Sequence, residues 1–185
     1  MKVQFGSGDN ILAGWVNTDV DKPSWHPSIP IDICQPLPYK DNSVRLIFCE
    51  HVIEHITHGE AVKFLKEAYR VLQPKGVIRL AFPDVERISR CSQSYIQELQ
   101  KVGMSDGTLL TCIENIIHNH EHKAFWTASI MKTILNAVGF FTIDASLGKS
   151  EYFPELRGLE CKGQTNNGIN NFINFIETSV VEGMK

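Results

Sequence analysis

The stretch CEHVIEHI, residues 49–56, places a thiol, two carboxylates and two imidazoles within eight positions. His51 and His55 stand four apart, with Glu54 beside them. On an α-helix that spacing turns both rings to one side, as two ligands of a single zinc ion require, with a glutamate in reach as ligand or base. Three further histidines, His118, His120 and His122, alternate in HNHEH. A third set is dispersed: Gly6-Ser7-Gly8, Asp19, Asp21, Asp32 and Asp84 each follow or close an apolar-leaning stretch. Glycines there let the backbone come close to a ligand, and carboxylates there accept hydrogen bonds from hydroxyl or amine groups.

Strands and helix ends must position these groups. Residues 2–5 form a short strand that runs into the glycine turn, the usual opening of a nucleotide-binding α/β fold. Residues 16–21 read as a second strand ending in acids, and 29–33 as a third that closes on Asp32. Residues 44–49 (VRLIFC) are a compact apolar run, as in a buried central strand. Thr57-x-x-Glu60 is a capping box. Ala61, Val62, Leu65, Ala68, Tyr69 and Leu72 then recur at helical spacing until Pro74 and Gly76. Residues 77–82 are the next strand, stopped by Pro83-Asp84. The segment 85–126 is helical but broken around Gly103 to Gly107. Thr127 caps a helix over 128–138 that Gly139 ends, and a late strand covers 140–145. Residues 161–171 are a polar loop, and Phe172, Ile173, Phe175 and Ile176 mark a short amphipathic tail. This order predicts one α/β domain over 1–185 with a mostly parallel sheet and crossover helices.

The bulk properties exclude several classes. Of 185 residues, 43% are hydrophobic and 21% charged, the balance of a soluble globular protein. Net charge is -3 with Lys and Arg scattered singly, so no basic stripe exists to neutralise phosphates and no nucleic-acid partner is expected. Five dispersed cysteines without a C-x-x-C suit reduced thiols in the cytoplasm. MKVQFGSG lacks the apolar run of a signal peptide, and no segment approaches the roughly 20 apolar residues of a membrane span. A cytoplasmic protein is expected.

Position decides against the zinc reading. The inverted zinc peptidases embed H-x-x-E-H in a helix, whereas the capping box starts the helix here only after His55. Residues 51–56 therefore fall on the turn between a buried strand and that helix, and no metal site is assigned. In open parallel sheets, ligands bind beyond the carboxyl ends of the strands. Gly6 to Gly8, Asp19, Asp32, Cys49 to His51 and Asp84 all fall at such ends, which predicts one cleft with several walls.

The ordered set resembles a class I S-adenosylmethionine-dependent methyltransferase, of a compact bacterial group related to the methyltransferase type 11 family. That group opens with "GCG…LPGWxNVD", continues with "PLPFxDxSxDxIxxxHxLEHI" and then "VLxPGGxLRIxxPD". The matching stretches are Gly6-Ser7-Gly8 with residues 11–19, then 36–56, then 71–84; 120–140 and 154–160 also fit. The resemblance implies a Rossmann-like three-layer sandwich, with 85–126 as a helical insertion on the acceptor side. It implies that Gly6, Ser7 and Gly8 meet the amino-acid part of the cofactor, and that Asp19 or Asp21 takes the ribose hydroxyls. Asp32 and Ile33 would meet the adenine, and Cys49, Glu50 and His51 the sulfonium end. A dinucleotide is disfavoured because Ile11 stands where a third glycine belongs.

The reaction implied is methyl transfer to oxygen or nitrogen of a small polar molecule or a glycan. His51 is the candidate base, or else a histidine bonded within its turn. His122 is either an acceptor wall or part of a solvated loop, and Asp84 either faces the acceptor or caps the next helix. Trp15, Phe125 and Trp126 read as core. Arg157 and Glu160 read as acceptor contacts or as a salt bridge. Two rivals remain: a divalent-metal hydrolase built on His51, Glu54 and His55, and a non-catalytic cofactor-binding scaffold.

Overall fold

The computed structural model describes residues 1–21, 25–90, 93–101, 103, 106–111, 114, 121–160 and 177–185. The strands are β1 (Lys2–Phe5), β2 (Val16–Asp19), β3 (Ile29–Pro30), β4 (Val44–Glu50), β5 (Leu72–Pro83), β6 (Phe141–Asp144) and β7 (Thr178–Met184). They form a seven-stranded sheet in the order β3-β2-β1-β4-β5-β7-β6. β1 to β5 pair in parallel, and β7 runs antiparallel between β5 and β6. The helices are α1 (His58–Val71), α2 (Val85–Ser89), α3 (Gln93–Lys101) and α4 (Ala128–Val138). This is a Rossmann-like α/β fold.

Local sequence explains most elements. Both halves of the α1 capping box form: Thr57 Oγ1 accepts from Glu60 N, and Glu60 Oε2 accepts from Thr57 N. α1 buries Ala61, Phe64, Leu65, Ala68 and Val71, and each large apolar side chain taken from water contributes about 1.5–3 kcal/mol. Thr127 Oγ1 caps α4 by accepting from Ile130 N, and Gly139 at φ 120 ends it. β4 alternates between two cores. Ile47 and Cys49 join the core with α1 and α4, while Leu46 packs with Val77, Leu156 and Trp15 on the opposite face.

Three expectations change. β2 stops at Asp19 and β3 at Pro30, so Asp21 and Asp32 lie beyond the strand ends. Among the described residues, no helix connects β1 to β2, β2 to β3 or β3 to β4, so the layering rests on loops there. β7 is the strand that the hydropathy pattern hides. Glu182 and Gly183 interrupt it, yet six of its seven residues are buried. Arg79 explains the buried charge: its Nη1 donates to Glu182 Oε1 at 2.6 Å, and its Nε donates to Glu160 Oε1 at 2.5 Å. Its remaining guanidinium hydrogens reach the Ser146 and Lys149 carbonyls. Glu160 is thus the partner of Arg79, Arg157 donates to the Ser150 and Glu151 carbonyls, and neither lines the strand-end cleft. The predicted loop and tail over 161–176 lie outside the described residues. No helix among the described residues is long and apolar enough to cross a membrane.

Candidate active site

A cleft of about 1180 Å³ opens where β1, β2 and β4 end. Gly6, Ser7, Gly8, Asp19, Asp32, Ile33, Glu50 and His51 all line it. Gly6 and Gly8 hold φ of 65 and 52, a left-handed backbone that side chains with a Cβ disfavour. Their reasons differ. A Cβ on Gly6 would fall 2.1 Å from Val52 Cγ2, whereas one on Gly8 would meet nothing within 4 Å among the described residues. Gly6 therefore lets the β4–α1 turn pack against β1, and Gly8 keeps its backbone open.

Asp19 fastens this turn. Its Oδ2 accepts from Gly8 N and its Oδ1 from Val20 N, both at 2.8 Å. Each oxygen retains a lone pair that a ligand hydroxyl can use. Asp21 is exposed and does not line the cleft. Ser7 Oγ lies 2.5 Å from Ser28 Oγ, which ties the glycine turn to the approach to β3. Asp32 accepts from Cys34 N at 2.8 Å in the following turn.

His51 directly follows β4, and its φ of 52 swings its ring out of the strand line. Its Nδ1 stands 3.1 Å from Glu54 Oε1, and its Nε2 stands 3.3 Å from Thr178 Oγ1. Burial pushes the Glu54 pKa up, but the adjacent His51 outweighs it and holds the carboxyl below its ordinary value. Residues 53–55 form only a single 3-10 turn. His51 precedes that turn, so the i, i+4 helical arrangement of the zinc peptidases is absent. His55 instead faces His122, with ring centroids 4.9 Å apart.

The structure corrects the expected roles of Cys49, Phe125 and His122 and takes the capping alternative for Asp84. Cys49 is buried in the core and absent from the cleft wall, because β4 alternation turns it toward α1; burial raises its thiol pKa strongly. Asp84, 2% exposed, is committed to structure. Its Oδ1 caps α2 by accepting from Glu86 N and Arg87 N, and its Oδ2 accepts from Ala128 N and Ser179 Oγ. Phe125 is exposed, whereas Trp126 is fully buried and donates Nε1–H to the Ile53 carbonyl. His122 does not line the cleft, although its neighbour Lys123 does. The sequence reading also missed Asn10, Cys34, Glu60 and Lys123 as lining residues. Only proximity to the strand-end motifs signalled the first three, and nothing local signalled Lys123.

A family model described as "Methyltransferase domain" matches residues 14–80, the span from just before β2 into β5. Over this span the chain is similar to that methyltransferase family. Solved structures share the methyltransferase fold over the whole chain. A SAM-dependent methyltransferase from Archaeoglobus fulgidus is 13% identical, with a TM-score of 0.60 over 100% of this chain and 85% of that one. An S-adenosylmethionine-dependent methyltransferase from Mesorhizobium loti is 10% identical, with a TM-score of 0.60 over 100% and 90%. Phosphoethanolamine N-methyltransferase 2 of Haemonchus contortus, in complex with S-adenosyl-L-methionine, is 13% identical, with a TM-score of 0.56 over 100% and 48%. No curated protein matches the sequence. The cofactor of such a methyltransferase is S-adenosylmethionine, and the cleft fits it: Gly8 leaves its backbone open to a contact, and the Asp19 carboxylate bonded to it is anchored for hydroxyl groups.

Proposed function

We propose that this methyltransferase acts on oxygen or nitrogen of a small polar molecule or a glycan, with the cofactor held at the β1, β2 and β4 ends. The observation that carries this reading is the hydrogen bond from Gly8 N to Asp19 Oδ2. It joins the glycine turn to the β2 acid in one preformed wall. In this reading Gly6 to Gly8 bind the amino-acid portion, Asp19 the ribose hydroxyls, and Asp32 with Ile33 the adenine. The bound cofactor supplies a methyl group activated on a sulfonium.

His51 is assigned the proton. A carboxylate at Nδ1 favours the tautomer with hydrogen there, which leaves the Nε2 lone pair to accept. Thr178 holds that nitrogen until an acceptor hydroxyl or amine takes its place. Fixing acceptor and base in one geometry lowers the barrier by removing the entropy of encounter. The cleft offers Glu60, His55 and Lys123 to a polar acceptor. Free thiols at Cys34 and Cys49 accord with the cytoplasm.

Calorimetric titration with S-adenosylhomocysteine tests the cofactor assignment, and labelled methyl transfer to a panel of hydroxyl and amine acceptors tests the reaction. Saturable binding with turnover of a panel member is the expected result. Absence of binding at millimolar ligand would refute the reading, and binding without any turnover would favour the scaffold.

A further inference from the structure

We infer that Glu54, His55 and His122 form a binding site for one divalent transition-metal ion of the zinc class. The ion fastens the turn between β4 and α1 to the segment that precedes α4. Glu54 is 1% exposed, and its Oε2 has no hydrogen-bond donor among the described residues. A carboxylate withdrawn from water this far is costly unless a cation faces it. His51 Nδ1 approaches Oε1 at 3.1 Å, but that imidazole offsets the charge only when protonated, and a carboxylate has room for a further partner.

That partner space is bounded by imidazoles. Single donor atoms of Glu54, His55 and His122 lie within 4.8 Å of one another. The His55 and His122 rings meet edge to face at 79°, their centroids 4.9 Å apart. Backbone bonds fix the two segments together, because Lys123 N and Ala124 N donate to the Glu54 carbonyl at 2.8 and 3.1 Å. His122 is therefore held beside the turn whatever its own rotamer.

The donor set selects the ion. Two imidazoles with one carboxylate suit zinc and neighbouring transition metals, whereas magnesium and calcium take oxygen ligands. In a tetrahedral zinc site the donors stand about 2.0–2.1 Å from the metal and hence about 3.4 Å apart. Both rings are only partly buried, so rotation can bring the donors together by the at most ~1.4 Å required. His55 also lines the cleft, which gives water access to complete the coordination. The zinc-like spacing in CEHVIEHI thus contributes two ligands, and the third comes from the HNHEH segment instead of His51.

The test uses the full chain after chelation, titrated with zinc chloride by calorimetry and with cobalt(II) as a visible-absorption probe. One equivalent bound at micromolar affinity, tetrahedral cobalt bands and a higher Tm with zinc are expected. Glu54→Gln and His122→Ala should each weaken zinc at least about tenfold, as loss of one ligand does, while His122→Ala retains S-adenosylhomocysteine binding. His55→Ala gives the same reading if Glu54→Gln fails to fold. No binding at about 100 µM zinc, far above the affinity of protein zinc sites, would overturn the proposal. So would zinc affinity unchanged in Glu54→Gln and His55→Ala but lost in His122→Ala, since His118 and His120 would then supply the site.

Discussion

Thr178 Oγ1 stands 3.3 Å from His51 Nε2, joining residues 127 apart in the chain. The antiparallel seventh strand thereby delivers a hydroxyl to the end of the fourth, opposite Glu54 on the other ring nitrogen. If His51 is the base, His51→Ala lowers kcat by about 10²–10⁴ and leaves S-adenosylhomocysteine affinity nearly intact. Kinetics with an acceptor found in the panel, set beside calorimetry, check this. A fall in cofactor affinity as large as the fall in kcat would make His51 a cofactor contact only.

Asp19 and Asp21 are separable. Asp19→Ala should weaken S-adenosylhomocysteine about tenfold or more, since hydrogen bonds to a charged group contribute about 1.5–3 kcal/mol. Asp21→Ala, outside the cleft, should leave the affinity unchanged. Titration of the two variants decides it, and the reverse ranking would place the ribose on Asp21.

The two glycines should fail differently. Gly6→Ala combines a positive φ with a contact to Val52 that has no room, so it destabilises by about 2–4 kcal/mol. Gly8→Ala has only the backbone penalty, about 1–2 kcal/mol, and chiefly weakens the cofactor. Urea melts alongside ligand titration distinguish the two, and equal stability losses would contradict the assignment.

Asp84→Ala should destabilise by about 2–4 kcal/mol, because it removes a helix cap and leaves buried donors unsatisfied. Cofactor affinity of the folded variant should hold. Denaturation and titration together test this. Full stability with lost turnover would return Asp84 to the reacting groups.

The loop before β4 is clamped by α1. Glu67 Oε2 accepts from Leu37 N at 2.9 Å, and Arg70 donates to Glu67, to Asp41 and to the Leu37 and Tyr39 carbonyls. The hydrogen bond from Arg70 is the main reason that the Glu67 pKa lies below its ordinary 4.5. A pKa lower in the folded than the unfolded chain means the contribution is complete above 4.5 and disappears as pH falls through the folded value. Glu67→Gln should therefore cost about 1 kcal/mol at pH 7 and progressively less as the pH drops below 4.5. Urea melts across that range provide the check, and a pH-independent cost would remove the charge from the explanation.

Much was legible where the determining interactions are local. The glycine turn after β1, the Thr57–Glu60 box and the Thr127–Gly139 bounds of α4 each depend on neighbours within a few residues. The run 44–49 named the central strand, and the ends of the early strands located the cleft. Identity of groups at those ends was not enough to assign their roles. Cys49 and His51 are two apart, yet the positive φ at His51 turns one into the cleft while the strand keeps the other in the core.

The sequence alone determined which segments become strands and helices around the cofactor cleft, because hydropathy period, caps and turns act over short distances. Only the tertiary structure decided that Asp84 is a cap, that Thr178 reaches His51 and that His122 sits beside Glu54 and His55. It also decided that β7 is a strand. The Glu182 charge that disguises β7 is tolerable only because Arg79, 103 residues away, meets it inside the sheet. Pairings of that range follow from strand order, and no local pattern records them.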